Sequence, residues 1–161
     1  MSDTFPLVTL PAASLRERSR ELDIAEITTP EFQAFLDTLV RTMFKEDGVG
    51  IAAPQVGNNI RAIVVNVGNG AECYMNPEIL KKSETLQDSE EGCLSVPGKF
   101  GLVKRHKKVT VRAINRHGRR VEFEAKQFPA IVFQHEVDHL DGVLFIDKAD
   151  KVVEVKNAKH I

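Results

Sequence analysis

The chain has 161 residues, 42% hydrophobic and 28% charged, with a formal net charge of -1 and a pI near 6.5. That length supports one domain, residues 1–161, whose folding buries about two-thirds of the unfolded surface. So balanced a charge excludes general nucleic-acid or membrane-surface binding, and no apolar run approaches the roughly 20 residues that cross a bilayer.

From the start of the chain, Met1-Ser2-Asp3-Thr4-Phe5 has no basic region followed by an apolar core of signal-peptide length. The protein is therefore expected in the reducing cytoplasm, where Cys73 and Cys93, the two cysteines, stay unpaired. Thr29-Pro30-Glu31 reads as an N-cap, a proline at the first helical position and an acidic first turn. In the helix that follows, Phe32, Phe35, Leu36, Leu39, Val40, Met43 and Phe44 recur at the spacing of one buried face, and Gly48 is its expected stop.

Gly48 to Gly57 is rich in small residues and contains Pro54, which predicts a loop. It is either a plain turn or a place where a ligand approaches the backbone; without Gly-x-Gly-x-x-Gly or a Gly-Lys-Ser/Thr ending it is not a phosphate loop. Strands are predicted over Ile60 to Val67, Cys73 to Leu80, Lys108 to Asn115 and Arg120 to Ala125, the last two around a His117-Gly118 turn. Val109, Val111 and Ala113 face the core in that reading, and Lys108, Thr110 and Arg112 face water. A helix is predicted over Phe128 to Leu140, with Pro129 tolerated in its first turn and Gly142 ending it. The polar tail from Lys148 to Ile161 reads as a solvated helical face. Strands grouped before a long apolar helix argue for an α+β domain of mixed, mainly antiparallel sheets wrapped around that helix.

The last predicted helix carries His135-Glu136-Val137-Asp138-His139. Residues four apart share a helical face, so His135 and His139 can grip one ion while Glu136 addresses a water beside it, the arrangement of a hydrolase. A catalytic ion of this kind takes three protein ligands and keeps one position open. Peptidases of the His-Glu-x-x-His-x-x-Gly-x-x-His type take a third histidine downstream; this chain follows the pattern through Gly142 and then has Phe145. Glu154 lies in the polar tail, where solvation is the simpler reading. Upstream, Glu91-Gly92-Cys93-Leu94-Ser95 offers a thiolate, and a Cys, His, His set suits zinc or ferrous iron.

Three blocks in this order, Gly48-Val49-Gly50-Ile51-Ala52-Ala53-Pro54-Gln55, Glu91-Gly92-Cys93-Leu94-Ser95 and Gln134-His135-Glu136-Val137-Asp138-His139-Leu140, make the chain resemble the peptide deformylases, from about Leu10-Pro11 to about Asp147. The resemblance implies the same α+β arrangement and removal of the N-formyl group from formyl-methionyl nascent peptides. It implies one divalent ion held by Cys93, His135 and His139, with ferrous iron native and zinc, nickel or cobalt able to replace it. Glu136 would serve as base and then acid, and Gln55 with the Leu94 N–H would stabilise the oxyanion. Gly50 would be a backbone partner of the peptide, and Val49, Phe128, Ile131 and Val132 would line an apolar pocket for the first side chain. Those four suit a pure core role equally well, although Phe128, Ile131 and Val132 lie seven, four and three residues before His135 on its helical face. Glu91 and Arg105 would pair to brace the cysteine segment.

The likeness thins at Pro11-Ala12-Ala13-Ser14-Leu15-Arg16, which keeps only the proline, leucine and arginine of the usual block, and at Lys104, where many relatives have proline. A ribosome-docking helix is not assumed in so short a tail, so any ribosome contact is expected to be transient and local. His106, His117 and His160 read as surface residues, and Cys73 as a small buried hydrophobe. Two other readings compete: a zinc-dependent peptidase of the His-Glu-x-x-His type, which would cleave unformylated peptides, and a binding module, which would close the metal shell with a fourth Cys or His.

Overall fold

The structure, a computed structural model, describes residues 3–155. In chain order it contains α1 (Ile24–Ile27), α2 (Pro30–Lys45), β1 (Gly50–Ala52), β2 (Ala62–Asn66), β3 (Ala71–Lys82), β4 (Leu86–Cys93), β5 (Val96–His106), β6 (Lys108–Asn115), β7 (Arg120–Lys126), α3 (Phe128–Leu140) and β8 (Val152–Glu154). Three 3-10 turns, Ala13–Arg16, Ala53–Val56 and Phe145–Asp147, punctuate it. One sheet runs β1-β2-β3-β6-β7 and the other β4-β5-β8. All ladders are antiparallel, and a parallel bridge joins Arg20 to Ile60 outside them. This is an α+β fold.

Strand β2 explains how the layers form. Its first four residues are all buried because successive side chains point to opposite faces and both faces are covered. Ile63 and Val65 pack toward α3, with Ala52, Val109, Val111 and Ala125 beside them. Ala62 and Val64 pack toward α2, against Leu36, Leu39 and Met43. The five-stranded sheet thus lies between the two long helices. The other sheet closes over the chain beyond α3, where Cys93, Val96 and Val103 pack on Leu144 and Phe145.

Helix α2 begins as its sequence predicts, with the Thr29 hydroxyl accepting the Phe32 N–H at 3.2 Å. Two details differ. Phe44 is 50% exposed rather than core, because it lies about 100° round the helix from the buried Met43. The left-handed residue that ends the helix is Asp47, at φ 56, and the Gly48 N–H turns back to the Met43 carbonyl.

Gly48 to Gly57 is more ordered than a loop. Gly50–Ala52 is strand β1, registered on Val65, Val64 and Ile63 of β2, and Ala53–Val56 is a 3-10 turn ending at the left-handed Gly57. β4 and β5 alternate in burial without the apolar sequence pattern that would announce it. The inward positions of β4 include Ser89, Glu91 and Cys93, and β5 contains Pro97, Gly98 and Gly101, so burial follows polar partners and close backbone approach instead of apolar alternation. Lys104, where the likeness thins, is a strand residue paired with Asp88 across the ladder. In the tail, Val152–Glu154 adds to β5 as a strand, with Glu154 opposite Lys99, in place of the expected helical face; Lys156, Lys159 and His160 lie outside the described residues.

Helix α3 spans Phe128–Leu140 and is buried almost all round, from Ala130 through Val137, as befits a helix between layers. Its C-terminal end is tied down. The Leu140 carbonyl accepts from Arg61 Nη1 at 3.0 Å and from the Ser19 N–H at 2.8 Å, and Arg61 Nη2 pairs with Asp141 at 3.0 Å. Gly142 follows at φ 76, where an added Cβ would lie 2.3 Å from the Arg16 carbonyl oxygen. Both the backbone conformation and the contact demand glycine. Gly142→Ala should therefore lower stability by more than about 2 kcal/mol, read as a lower urea midpoint at unchanged slope; an unaltered midpoint would contradict this account of the helix end.

Candidate metal centre and active site

Two elements far apart in the chain build the centre. Cys93 ends β4, Leu94 and Ser95 form the turn into β5, and His135 and His139 lie one helical turn apart on α3. Cys93 is 0% exposed and each histidine 2%. One donor atom from each of the three lies within 4.8 Å of the others. Cys93 Sγ is 3.3 Å from His139 Nε2, and the two imidazole rings are 5.0 Å apart, centroid to centroid, at 68°.

Hydrogen bonds fix the orientation of this group. His135 Nδ1 lies 2.8 Å from Glu91 Oε1, which leaves its Nε2 as the ring nitrogen available to a metal. Glu91 is held in turn by a two-pronged contact from Arg105, Nε to Oε2 at 2.8 Å and Nη2 to Oε1 at 2.7 Å. The remaining Arg105 amine donates to Asp138 Oδ2 at 2.7 Å, and Lys148 reaches the same carboxylate at 3.0 Å. Burial penalises the Glu91 charge, but the Arg105 and His135 contacts outweigh it and hold the carboxyl at about 2. Gln134 locks α3 to β5 a second time, accepting the His106 N–H at 3.0 Å and donating to the His106 carbonyl at 2.9 Å.

The donor set fits a divalent cation. Burial pushes the Cys93 thiol up to about 12, against the pull of the Ser95 and Val96 N–H groups, so the thiolate form needs a positive charge beside it. Burial and the neighbouring His135 push His139 well below its usual value, which keeps it in the neutral, ligating form. His135 Nε2, His139 Nδ1 and both Glu136 carboxyl oxygens are buried with no hydrogen-bond partner among the described residues, whereas buried polar atoms elsewhere in proteins are nearly always paired. Glu136 Oε1 stands 4.0 Å from His135 Nε2. Burial, followed by the charge of Glu91, raises its carboxyl well above the usual range.

Gln55 also reaches this centre. It is fully buried; its Oε1 accepts the Ala52 N–H at 2.9 Å, and its Nε2 lies 3.6 Å from Cys93 Sγ and 3.3 Å from Ser95 Oγ. Leu94 is buried in the turn beside the sulfur, and Gly50 is buried in β1 against Glu136. Of the remaining residues singled out in the sequence, Val49 is half-buried against the α3 core, Ile131 and Val132 belong to that core, and Phe128 is 47% exposed at the start of α3. Glu154 pairs at the edge of the second sheet and is exposed, outside the donor group. Phe145, where a third histidine would stand in the peptidase pattern, stacks on His135 at 6.5 Å.

Among the other side chains, Cys73 is a buried free thiol, pushed up by burial to about 11. His117 is exposed and His106 half-buried, with its Nδ1 2.7 Å from the Ser83 carbonyl. Sequence reasoning assigned no role to Asp138 or Gln134. The available signal was their position: a polar side chain on a helix buried on all sides must find a partner.

The chain matches the family model described as polypeptide deformylase over residues 4–155. It is 45% identical over 148 residues to a peptide deformylase of Fusobacterium nucleatum, covering 91% of this chain and 84% of the relative. It is 50% identical over 130 residues to one of Carboxydothermus hydrogenoformans, covering 81% and 84%. Among solved structures, it is similar to the class I type b peptide deformylase of Acinetobacter baumannii with Met-Ala-Ser bound, at TM-score 0.88 and 35% identity, covering 92% of this chain and 99% of that one. The peptide deformylase of Thermotoga maritima gives TM-score 0.87 and 38% identity over 92% and 99%.

Glu91→Gln keeps the shape of the Glu91 side chain but removes the charge that faces Arg105 and orients His135. Metal affinity should fall roughly 10- to 100-fold, measured by competition with a chromophoric chelator. An affinity equal to that of the unaltered protein would show that His135 needs no such support.

Proposed function

The chain belongs to the polypeptide deformylase family, and from that membership we propose which of its residues carry out the reaction. The enzyme is a metal-dependent hydrolase that removes the formyl group from the N-terminal formyl-methionine of new polypeptides, releasing formate. Cys93, His135 and His139 hold one divalent cation, ferrous iron in the native enzyme, with zinc, nickel or cobalt able to replace it. When bound, that cation supplies a Lewis acid that acidifies water and polarises a carbonyl.

The protein's own groups do the rest. Glu136 takes a proton from the attacking water and gives it to the leaving amine as the bond between formyl carbon and nitrogen breaks, so one carboxyl serves as base and then acid. Its burial, which raises its proton affinity, suits a group that must hold and return a proton near neutrality. Gln55 is kept in place through its Oε1 by the Ala52 N–H, with its amide nitrogen beside Cys93 Sγ and Ser95 Oγ, from where it turns to donate to the developing oxyanion together with the Leu94 N–H. Gly50 offers its backbone to the peptide, and Val49, Phe128, Ile131 and Val132 receive the methionine side chain. The enzyme works in the cytoplasm, and any ribosome contact is transient.

The observation that supports this reading most is the meeting of three buried donor atoms within 4.8 Å beside a carboxyl with no hydrogen-bond partner among the described residues. The Met-Ala-Ser bound to the Acinetobacter baumannii relative has the free N-terminal methionine that deformylation leaves. The peptidase alternative is not favoured, because Phe145 rather than a histidine follows Gly142 in its pattern.

The decisive experiment prepares the protein anaerobically and assays a formyl-Met peptide beside its unformylated twin, with metal content measured on the same sample. Only the formylated peptide should be turned over, and cleavage of an internal bond in the twin would reinstate the peptidase reading. Glu136→Ala should keep its metal and lose roughly 100-fold or more in turnover; Cys93→Ala should lose both metal and turnover. Wild-type turnover by Glu136→Ala would remove it from the proton-transfer role.

A further inference from the structure

Gly50 has no conformational reason to be glycine. It lies in β1 opposite Val65, and its φ is not positive, so its backbone is one that any strand residue adopts. Glycine inside a strand otherwise costs stability. What excludes a side chain is Glu136. A Cβ built on Gly50 would lie 3.0 Å from Glu136 Cγ, 3.0 Å from Oε1 and 3.1 Å from Cδ, closer than ordinary van der Waals contact with three atoms of one side chain. Glu136 is 0% exposed, in a close-packed interior that has little room to let it withdraw.

We infer that Gly50 is a positioning residue for proton transfer: its missing side chain makes the space in which the Glu136 carboxyl stands beside the metal ligands. The inference rests on the reading of Glu136 as proton carrier and gives Gly50 a function separate from any backbone contact with the peptide. A methyl group at this position acts on the enzyme itself, before substrate arrives. It pushes the carboxyl off its line to the scissile group while the three donors, none of which supplies the atoms nearest the added carbon, stay in place.

Two measurements on metal-loaded protein test this. In kinetics, Gly50→Ala should lower kcat about tenfold or more, since small misplacements of a catalytic group are costly, with KM changed less than about twofold and metal content unchanged. In thermal unfolding, Gly50→Ala should lower the midpoint by several degrees in the presence of the Glu136 side chain, and should leave it unchanged or raise it when combined with Glu136→Ala, where the obstructing atoms are gone. Equal drops in both backgrounds, or an effect confined to KM, would overturn the inference and leave Gly50 as a peptide contact alone. Wild-type turnover by Glu136→Gln would instead overturn the proton-carrier reading, and the positioning role with it, so the two failures are told apart.

Discussion

The buried contact between Arg105 on β5 and Glu91 on β4 is the constraint on which the centre depends. It places a full positive and a full negative charge in an interior that neither would enter alone. Its geometry is two-pronged, and both partners reach beyond the pair, since Arg105 also holds Asp138 of α3 and Glu91 also holds His135 of α3. One ion pair thereby fastens the β4–β5 hairpin to the helix at two points one turn apart, next to the metal ligands on either side. The sulfur and the two imidazoles meet because this clamp sets the distance between the elements that carry them.

The layers around α3 give the clamp something rigid to close on. The helix packs one face on the five-stranded sheet through Ile131, Val132 and Val137, and is capped at its C-terminal end by Arg61 and the Ser19 N–H. Gln134 and Arg105 hold it on the hairpin side. Such a helix cannot rotate or slide without breaking buried polar contacts, which is the rigidity a catalytic constellation requires. Close packing at the site also shapes its glycines: Gly48 approaches Leu94 and Met43, and Gly50 yields its side-chain volume to Glu136.

Among the described residues, the buried polar side-chain atoms left without protein partners are confined largely to this centre, alongside Ser19 Oγ and Asn59 Oδ1. A protein satisfies its buried groups wherever folding alone is at stake. Groups kept unsatisfied among His135, Glu136 and His139 carry a cost to folding, so the least comfortable part of the fold coincides with the donor group that could hold a metal.

Local pattern determined a good deal by itself. Helix α3, strands β6 and β7, the cap at Thr29 and the pairing of His135 with His139 follow from periodicity, capping and the four-residue helical repeat, which are short-range rules. Tertiary structure alone decided what depends on contacts distant in sequence. β4 and β5 were illegible because their buried positions hold Ser89, Glu91, Cys93 and Gly101, whose burial is justified only by Arg105, the metal ligands and Ala149 across the fold. β8 forms because the edge of β5 takes it as a partner. The role of Asp138 and the empty side of Gly50 belong to the same class: each is set by a neighbour that no spacing along the chain reveals, since a buried charge or a missing methyl has meaning only once the packed interior around it exists.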